Sequence, residues 1–137
     1  MRFDDARLDH LNDNPLYQTL GIRLDSADDG VAQSTLVPQP SVCWPSLGQP
    51  HGGVLFTLVD TTMAFAAIST APEGSGCATV DASIQYPAPA RHGPFTCRTE
   101  APARAGRTVF IRAEVRDAQG AVVALAQGSF RIFPPRA

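Results

Sequence analysis

The sequence predicts an α+β domain, an antiparallel sheet of five to six strands wrapped around one long central helix. Three observations predict it. The run from His51 to Thr70 is apolar on nearly every side and long enough for about five helical turns. Two strand-like segments precede it and four follow. The connections are short, which favours antiparallel hairpins over crossovers. A helix that is apolar all round needs cover on several sides, and a curved sheet supplies it.

The elements follow in order. Asn14 to Gly21 reads as a short helix or turn, with Pro15 at an early helical position and Gly21 as its C-terminal cap. Ile22 to Ser26 and Val31 to Val37 read as strands joined at Asp28-Asp29-Gly30. Pro38 to Pro50 holds Pro38, Pro40, Pro45 and Pro50 and reads as an irregular loop. The central helix follows, and Pro72, Gly74 and Gly76 end it. Thr79 to Tyr86 alternates, with Val80, Ala82, Ile84 and Tyr86 on one face and Thr79, Asp81, Ser83 and Gln85 on the other. Pro87 to Pro94 is a loop. Phe95 to Ala101, Thr108 to Arg116 and Val122 to Ile132 are the last strands, split by turns at Ala105-Gly106 and Gln119-Gly120.

Composition narrows the function. A chain of 137 residues suits one domain over its whole length. With 44% hydrophobic and 18% charged residues it has the makeup of a folded protein. A net charge of −2 gives no reason to expect nucleic acid or an anionic membrane as partner. Met1 to His10 lacks the apolar core of a signal peptide, and no membrane-spanning segment is expected, so the expected location is cytoplasmic. Cys43, Cys77 and Cys97 are odd in number and widely spaced, without a CxxC. Free buried thiols are expected, rather than disulfides or a zinc site, and no metal or cofactor is expected. Arg91, Arg98, Arg104, Arg107, Arg112 and Arg116 cluster late in the chain. They suit either a small phosphorylated ligand or solvated strand faces.

Asp60 is the one ionisable residue between Gly52 and Ala71. An unpaired charge in a core is costly, and aspartate is a poor residue for a helix interior. Asp60 therefore reads as paired with a strand arginine, as facing solvent at an edge, or as a carboxylate made more basic by partial burial and poised as base or nucleophile. His51-Gly52-Gly53 opens the helix. Glycines permit close approach of backbone to ligand, and the first helical N–H groups lack internal partners and carry partial positive charge. They suit an oxygen that becomes negative in a tetrahedral intermediate. Close packing explains the glycines equally well, and a capping or core role explains His51. Gly52 and Asp60 are separated by about 12 Å of helix, so one carbonyl cannot touch both within a chain. Two antiparallel helices across a twofold axis would bring Gly52 of one copy to Asp60 of the other.

The segment His51-Gly-Gly-Val-Leu-Phe-Thr-Leu-Val-Asp60-Thr resembles the signature of hotdog-fold thioesterases of the phenylacetic-acid-degradation (PaaI-like) type. Thr79-Val-Asp-Ala-Ser-Ile-Gln-Tyr-Pro-Ala-Pro-Ala is similar to that family's next strand, and Ala105-Gly106-Arg107-Thr108 to its Gly-Lys/Arg turn. The likeness runs from about Leu20 to the C-terminus. It implies the hotdog fold and hydrolysis of an aryl or short- to medium-chain acyl-CoA. It implies that Asp60 activates water or attacks the thioester, and that the Gly52 N–H holds the carbonyl oxygen. It further implies that Thr79 positions the water and that His51 orients the loop or the carbonyl. Gly53, Arg91, His92, Arg104 and Arg107 become candidate substrate contacts, the basic ones toward the CoA phosphates. Trp44, Phe56, Val59 and Met63 are candidate acyl-pocket residues. The implied assembly is a homodimer with composite sites, paired into a homotetramer. One departure stands out: Pro45 occupies the position where the family often carries an asparagine. A non-catalytic acyl-CoA-binding hotdog protein and a hotdog hydratase or dehydratase are the alternatives.

Overall fold

The structure, a computed structural model, describes residues 1–137. The elements are α1 (Asp5–Asn12), α2 (Pro15–Leu20), β1 (Ile22–Asp28), β2 (Val31–Leu36), α3 (Gly52–Ser69), β3 (Gly76–Gln85), β4 (Phe95–Ala105), β5 (Thr108–Arg116) and β6 (Val122–Phe133). The six strands form one antiparallel sheet in the order β1-β2-β4-β5-β6-β3. The sheet packs around α3, which touches all six strands. This is the hotdog arrangement.

Local chemistry explains the elements. Asn14 caps α2 through its side chain, Pro15 takes the first turn, and Gly21 ends the helix at φ 86°. Asp29 and Gly30 both carry positive φ and turn β1 into β2, as their residue types favour. The Pro38–Pro50 loop holds one short 3-10 turn, Pro40–Val42, and an isolated bridge from Cys43 to Pro50. Leu24, Leu36, Leu58, Met63, Phe95, Ile111 and Phe130 are fully buried between helix and sheet. By length and hydropathy α3 would suit a membrane span, with a mean hydropathy of 1.5. Its enclosure by the sheet accounts for that composition.

Three expectations need correction. The sequence reading assigns no element before Asn14, yet Asp5–Asn12 is a helix whose N-cap, Asp4, accepts from the Arg7 N–H at 2.9 Å. Phe3 and Leu8 flank that cap at the spacing of a hydrophobic staple, a signal present in the sequence. The last four strands are not successive hairpins. β3 lies at the far edge against β6, and the Tyr86–Pro94 connection carries the chain back to β4. That spans three strand spacings, about 14 Å, which a short extended segment covers. Of the three thiols only Cys97 is buried, while Cys43 and Cys77 are half-buried.

The two sheet edges differ. At β1 the Asn12 side chain bonds both the N–H and the C=O of Leu24, at 2.7 and 2.8 Å, and α1 packs alongside. The outer edge of β3 has no neighbouring strand.

Candidate active site

The exposed stripe of α3 runs through Gly53, Phe56, Thr57, Asp60, Ala64 and Ile68, while the residues between them are largely buried. Asp60 lies on that stripe, half-buried, facing β3. The Thr79 hydroxyl donates to Asp60 Oδ1 at 2.7 Å. The protein's two ion pairs are Arg23–Asp25 and Arg116–Glu114, so Asp60 has no cationic partner. Pairing with a strand arginine is thereby removed as its explanation.

The approach of Thr79 depends on a bulge. The β3–β6 register slips between Thr79 and Asp81, and an extra residue reverses the alternation of faces. Cys77 and Thr79 turn toward α3 before the bulge, where the Cys77 Sγ bonds the Ala64 carbonyl. Ala82 and Ile84 pack toward the core after it. Val80, expected beside them, is 64% exposed. Strict alternation had put Thr79 on the opposite face from Ala82 and Ile84, and the bulge corrects that. Just past the bulge, Gly128 pairs with Ala82, and a Cβ there would come within 3.0 Å of the Asp81 carbonyl oxygen and 3.2 Å of Met63. A side chain at Gly128 would require Asp81, Phe130 or Met63 to give way.

The entry to α3 is built from backbone and one imidazole. His51 is the N-cap, and its Nδ1 accepts from the Gly53 N–H at 2.8 Å. That fixes the proton on Nε2. A Cβ on Gly53 would lie 3.0 Å from that Nδ1, so the glycine makes room for the cap. The Val54 N–H bonds the His51 carbonyl at 2.8 Å, whereas the Gly52 N–H has no partner. An unpaired donor therefore heads the helix, at its positive end. The His51 ring lies against Trp44, with centroids 5.0 Å apart.

Beside this entry is an apolar cavity of about 560 Å³, lined by Leu16, Leu20, Val42, Trp44, Pro45, His51, Gly53, Val54 and Thr57 among others. Of the four candidate acyl-pocket residues Trp44 lines it, whereas Phe56 lies exposed on the stripe of α3 outside its lining; Pro45 forms part of its wall. Val59 and Met63 do not, being sealed in the core. Leu16 and Leu20 of α2 were missed as lining residues, because their spacing reads as ordinary helix packing. A larger cavity, about 780 Å³, lies on the outer sheet face among Arg98, Glu100, Arg112 and Glu114. It contains none of the groups at Asp60 or Gly52.

The arginines divide between the two ends of the molecule. Arg91 and His92 lie in the exposed β3–β4 connection, which starts at Tyr86 beside Gly52. Arg104 and Arg107 lie at the opposite end. Arg104 donates to the Gly106 carbonyl at 2.7 Å and to the Thr70 carbonyl at 3.4 Å, a cation at the C-terminal end of α3. Arg107 is exposed at the β4–β5 turn, with its side chain unpaired. Within one chain neither Arg104 nor Arg107 meets Gly52.

Two thiols and two phenols are perturbed. Burial pushes the Cys97 thiol up to about 12, with the nearby Thr62 opposing. Burial, and then the Asp60 carboxylate, push Cys77 up to about 11. Burial also raises the phenols of Tyr17 and Tyr86.

Comparison with known proteins agrees with this fold. A family model described as Thioesterase superfamily matches residues 47–124, from the loop before α3 into β6. A Halobacterium salinarum protein named "Putative esterase" is 30% identical over 135 residues, covering 90% of this chain and 88% of its own. A thioesterase structure from Haemophilus influenzae superposes with a TM-score of 0.86 at 20% identity, covering 96% of this chain and 92% of its own. The PaaI protein of the E. coli phenylacetic acid degradation operon superposes at 0.81 with 24% identity, covering 93% of this chain and 90% of its own. With its central helix, six-stranded sheet and matching family model, the chain belongs to the thioesterase superfamily as a hotdog-fold member.

Proposed function

We propose that this protein hydrolyses an acyl-CoA thioester to the free acid and CoA, at a site shared between two copies of the chain. The observation that carries the reading is Asp60: half-buried, without a cation, and held by the Thr79 hydroxyl on the one open stripe of α3. Asp60 either takes a proton from the attacking water or attacks the carbonyl carbon itself. The carbonyl oxygen gains negative charge and is held by the unpaired Gly52 N–H of the partner subunit. Collapse breaks the C–S bond, and the thiolate of CoA leaves without needing a strong acid. In the base route the proton on Asp60 returns to the thiolate or to solvent. In the nucleophile route water then opens the acyl-Asp60 anhydride to release the acid and restore the carboxylate.

Two features support a shared site. Gly52 and Asp60 are about 12 Å apart along one helix. The bare edge of β3, next to Asp60, offers free backbone groups to a second copy, whereas the β1 edge is already covered. Antiparallel pairing of two such copies brings the C-terminal end of one α3 to the N-terminal end of the other. The partner subunit's Arg107 then joins Arg91 and His92 near the CoA phosphates. The apolar cavity beside Gly53 suits an aryl or short- to medium-chain acyl group. His51 is a poor candidate for the base of a hydratase, since its Nδ1 lone pair is engaged by the Gly53 N–H.

A panel of aryl and aliphatic acyl-CoAs, with released CoA followed by a thiol reagent, tests the reading. Turnover of at least one group of substrates is expected. Binding without release of CoA would leave an acyl-CoA-binding protein instead, and neither binding nor turnover would end the proposal.

A further inference from the structure

The Gly52–Gly53 peptide is gripped at both of its polar atoms. Its carbonyl oxygen accepts from the Tyr86 hydroxyl at 2.7 Å. Its N–H donates to His51 Nδ1 at 2.8 Å. The Tyr86 ring also lies against Gly52, where a Cβ would sit 3.4 Å from both Cζ and Oη. A carbonyl in the first turn of a helix has an intrahelical donor already, so the helix itself does not require the phenol. Two adjacent glycines have wide conformational freedom, so restraint at this point has to come from outside the segment. Tyr86 follows directly on β3, the strand whose Thr79 holds Asp60.

We propose that Tyr86 is a positioning residue for the Gly52 N–H: with His51 opposite, its hydroxyl locks the Gly52–Gly53 peptide plane and so holds the neighbouring N–H in its aim. β3 thereby sets both halves of the chemistry, the carboxylate through Thr79 and the oxyanion donor through Tyr86. The inference rests on the thioesterase reading above. An oxyanion donor acts in the transition state, so loosening it lowers kcat more than it raises KM.

The test compares wild type, Tyr86→Phe and Tyr86→Ala on the best acyl-CoA of the panel, with melting temperatures measured alongside. Tyr86→Phe keeps the ring and loses only the hydroxyl. It should fold normally and lose on the order of tenfold in kcat, less than the roughly 10²–10³-fold lost when such a donor is removed outright. KM should stay within about twofold, since ground-state binding is unaffected. Unchanged kcat in a folded Tyr86→Phe, with loss only in Tyr86→Ala, would overturn the proposal in favour of simple packing. A rise in KM at constant kcat would also overturn it, making Tyr86 a substrate contact. If Tyr86→Phe does not fold, a fluorinated tyrosine at position 86 keeps the shape and ionises at lower pH. Its kcat should fall through that ionisation, and a pH profile identical to wild type would count against the role. Wild type inert on every thioester removes the thioesterase reading and this inference together. Active wild type with indifferent variants removes the inference alone.

Discussion

The Thr79 hydroxyl meets Asp60 Oδ1 at 2.7 Å because β3 bulges between Thr79 and Asp81. The carboxylate is thus oriented by a neighbouring strand and not by its own helix. Asp60→Asn should keep the fold and lower kcat by about 10²–10⁴-fold, the range for a lost general base. Thr79→Ala should lower kcat with KM nearly constant, and Thr79→Ser should recover most of the loss. A Thr79→Ser protein as slow as Thr79→Ala would show that the methyl group, and not the hydroxyl, matters at this position.

Subunit mixing tests the shared site. Gly52→Pro removes the donor N–H at a first helical position that accepts proline. The preceding residue, His51, already has φ −55° and ψ 140°, the extended conformation required before proline. Mixed with Asp60→Asn, each heterodimer holds one intact site and one doubly defective site. Up to about half of wild-type activity per heterodimer should return, by the twofold symmetry. Mixed dimers as inactive as both parents, with exchange demonstrated, would place both groups in one chain.

The two turn arginines should separate. Arg104 is occupied with Thr70 and Gly106, so Arg104→Ala should cost about 0.5 kcal/mol of stability after solvent screening, with little effect on KM. Arg107→Glu should raise KM for acyl-CoA on the order of tenfold, the loss of one charge-assisted hydrogen bond of about 1.5 kcal/mol. A short thioester without the nucleotide should show no such rise. Equal effects on both substrates would make Arg107 structural.

Alkaline pH should weaken the fold through Cys97. Its thiol is pushed up to about 12 in the folded chain from an ordinary value of 9.0, so the unfolded chain loses its proton first. The contribution is complete below about pH 9 and is lost as pH rises toward 12, at up to about 1.4 kcal/mol per unit. Unfolding by urea at pH 9 and pH 10 should show a steeper fall for wild type than for Cys97→Ala. Parallel slopes would mean that the thiol contributes nothing to the pH dependence.

The long apolar run with a single aspartate determined much of this protein by itself. Such a helix requires cover on several sides, and the alternating segments around it supply a sheet. Asp60, the glycines at the helix start and the turn at Asp28-Asp29-Gly30 were legible for the same reason: each is a residue type that its local backbone or solvation state favours or penalises. Tertiary structure decided what depends on contacts distant in sequence. The place of β3 beyond β6 follows from closing the sheet around α3. The bulge that turns Thr79 toward Asp60 is a register event shared with β6 at Phe130 and Ser129, and alternation within β3 alone points Thr79 the other way. The Tyr86 bond to Gly52 joins residues 34 positions apart, and no periodicity encodes such a pair. Arg104 looked free to bind phosphate until folding brought it to the Thr70 carbonyl at the C-terminal end of α3, whose partial negative charge attracts a cation.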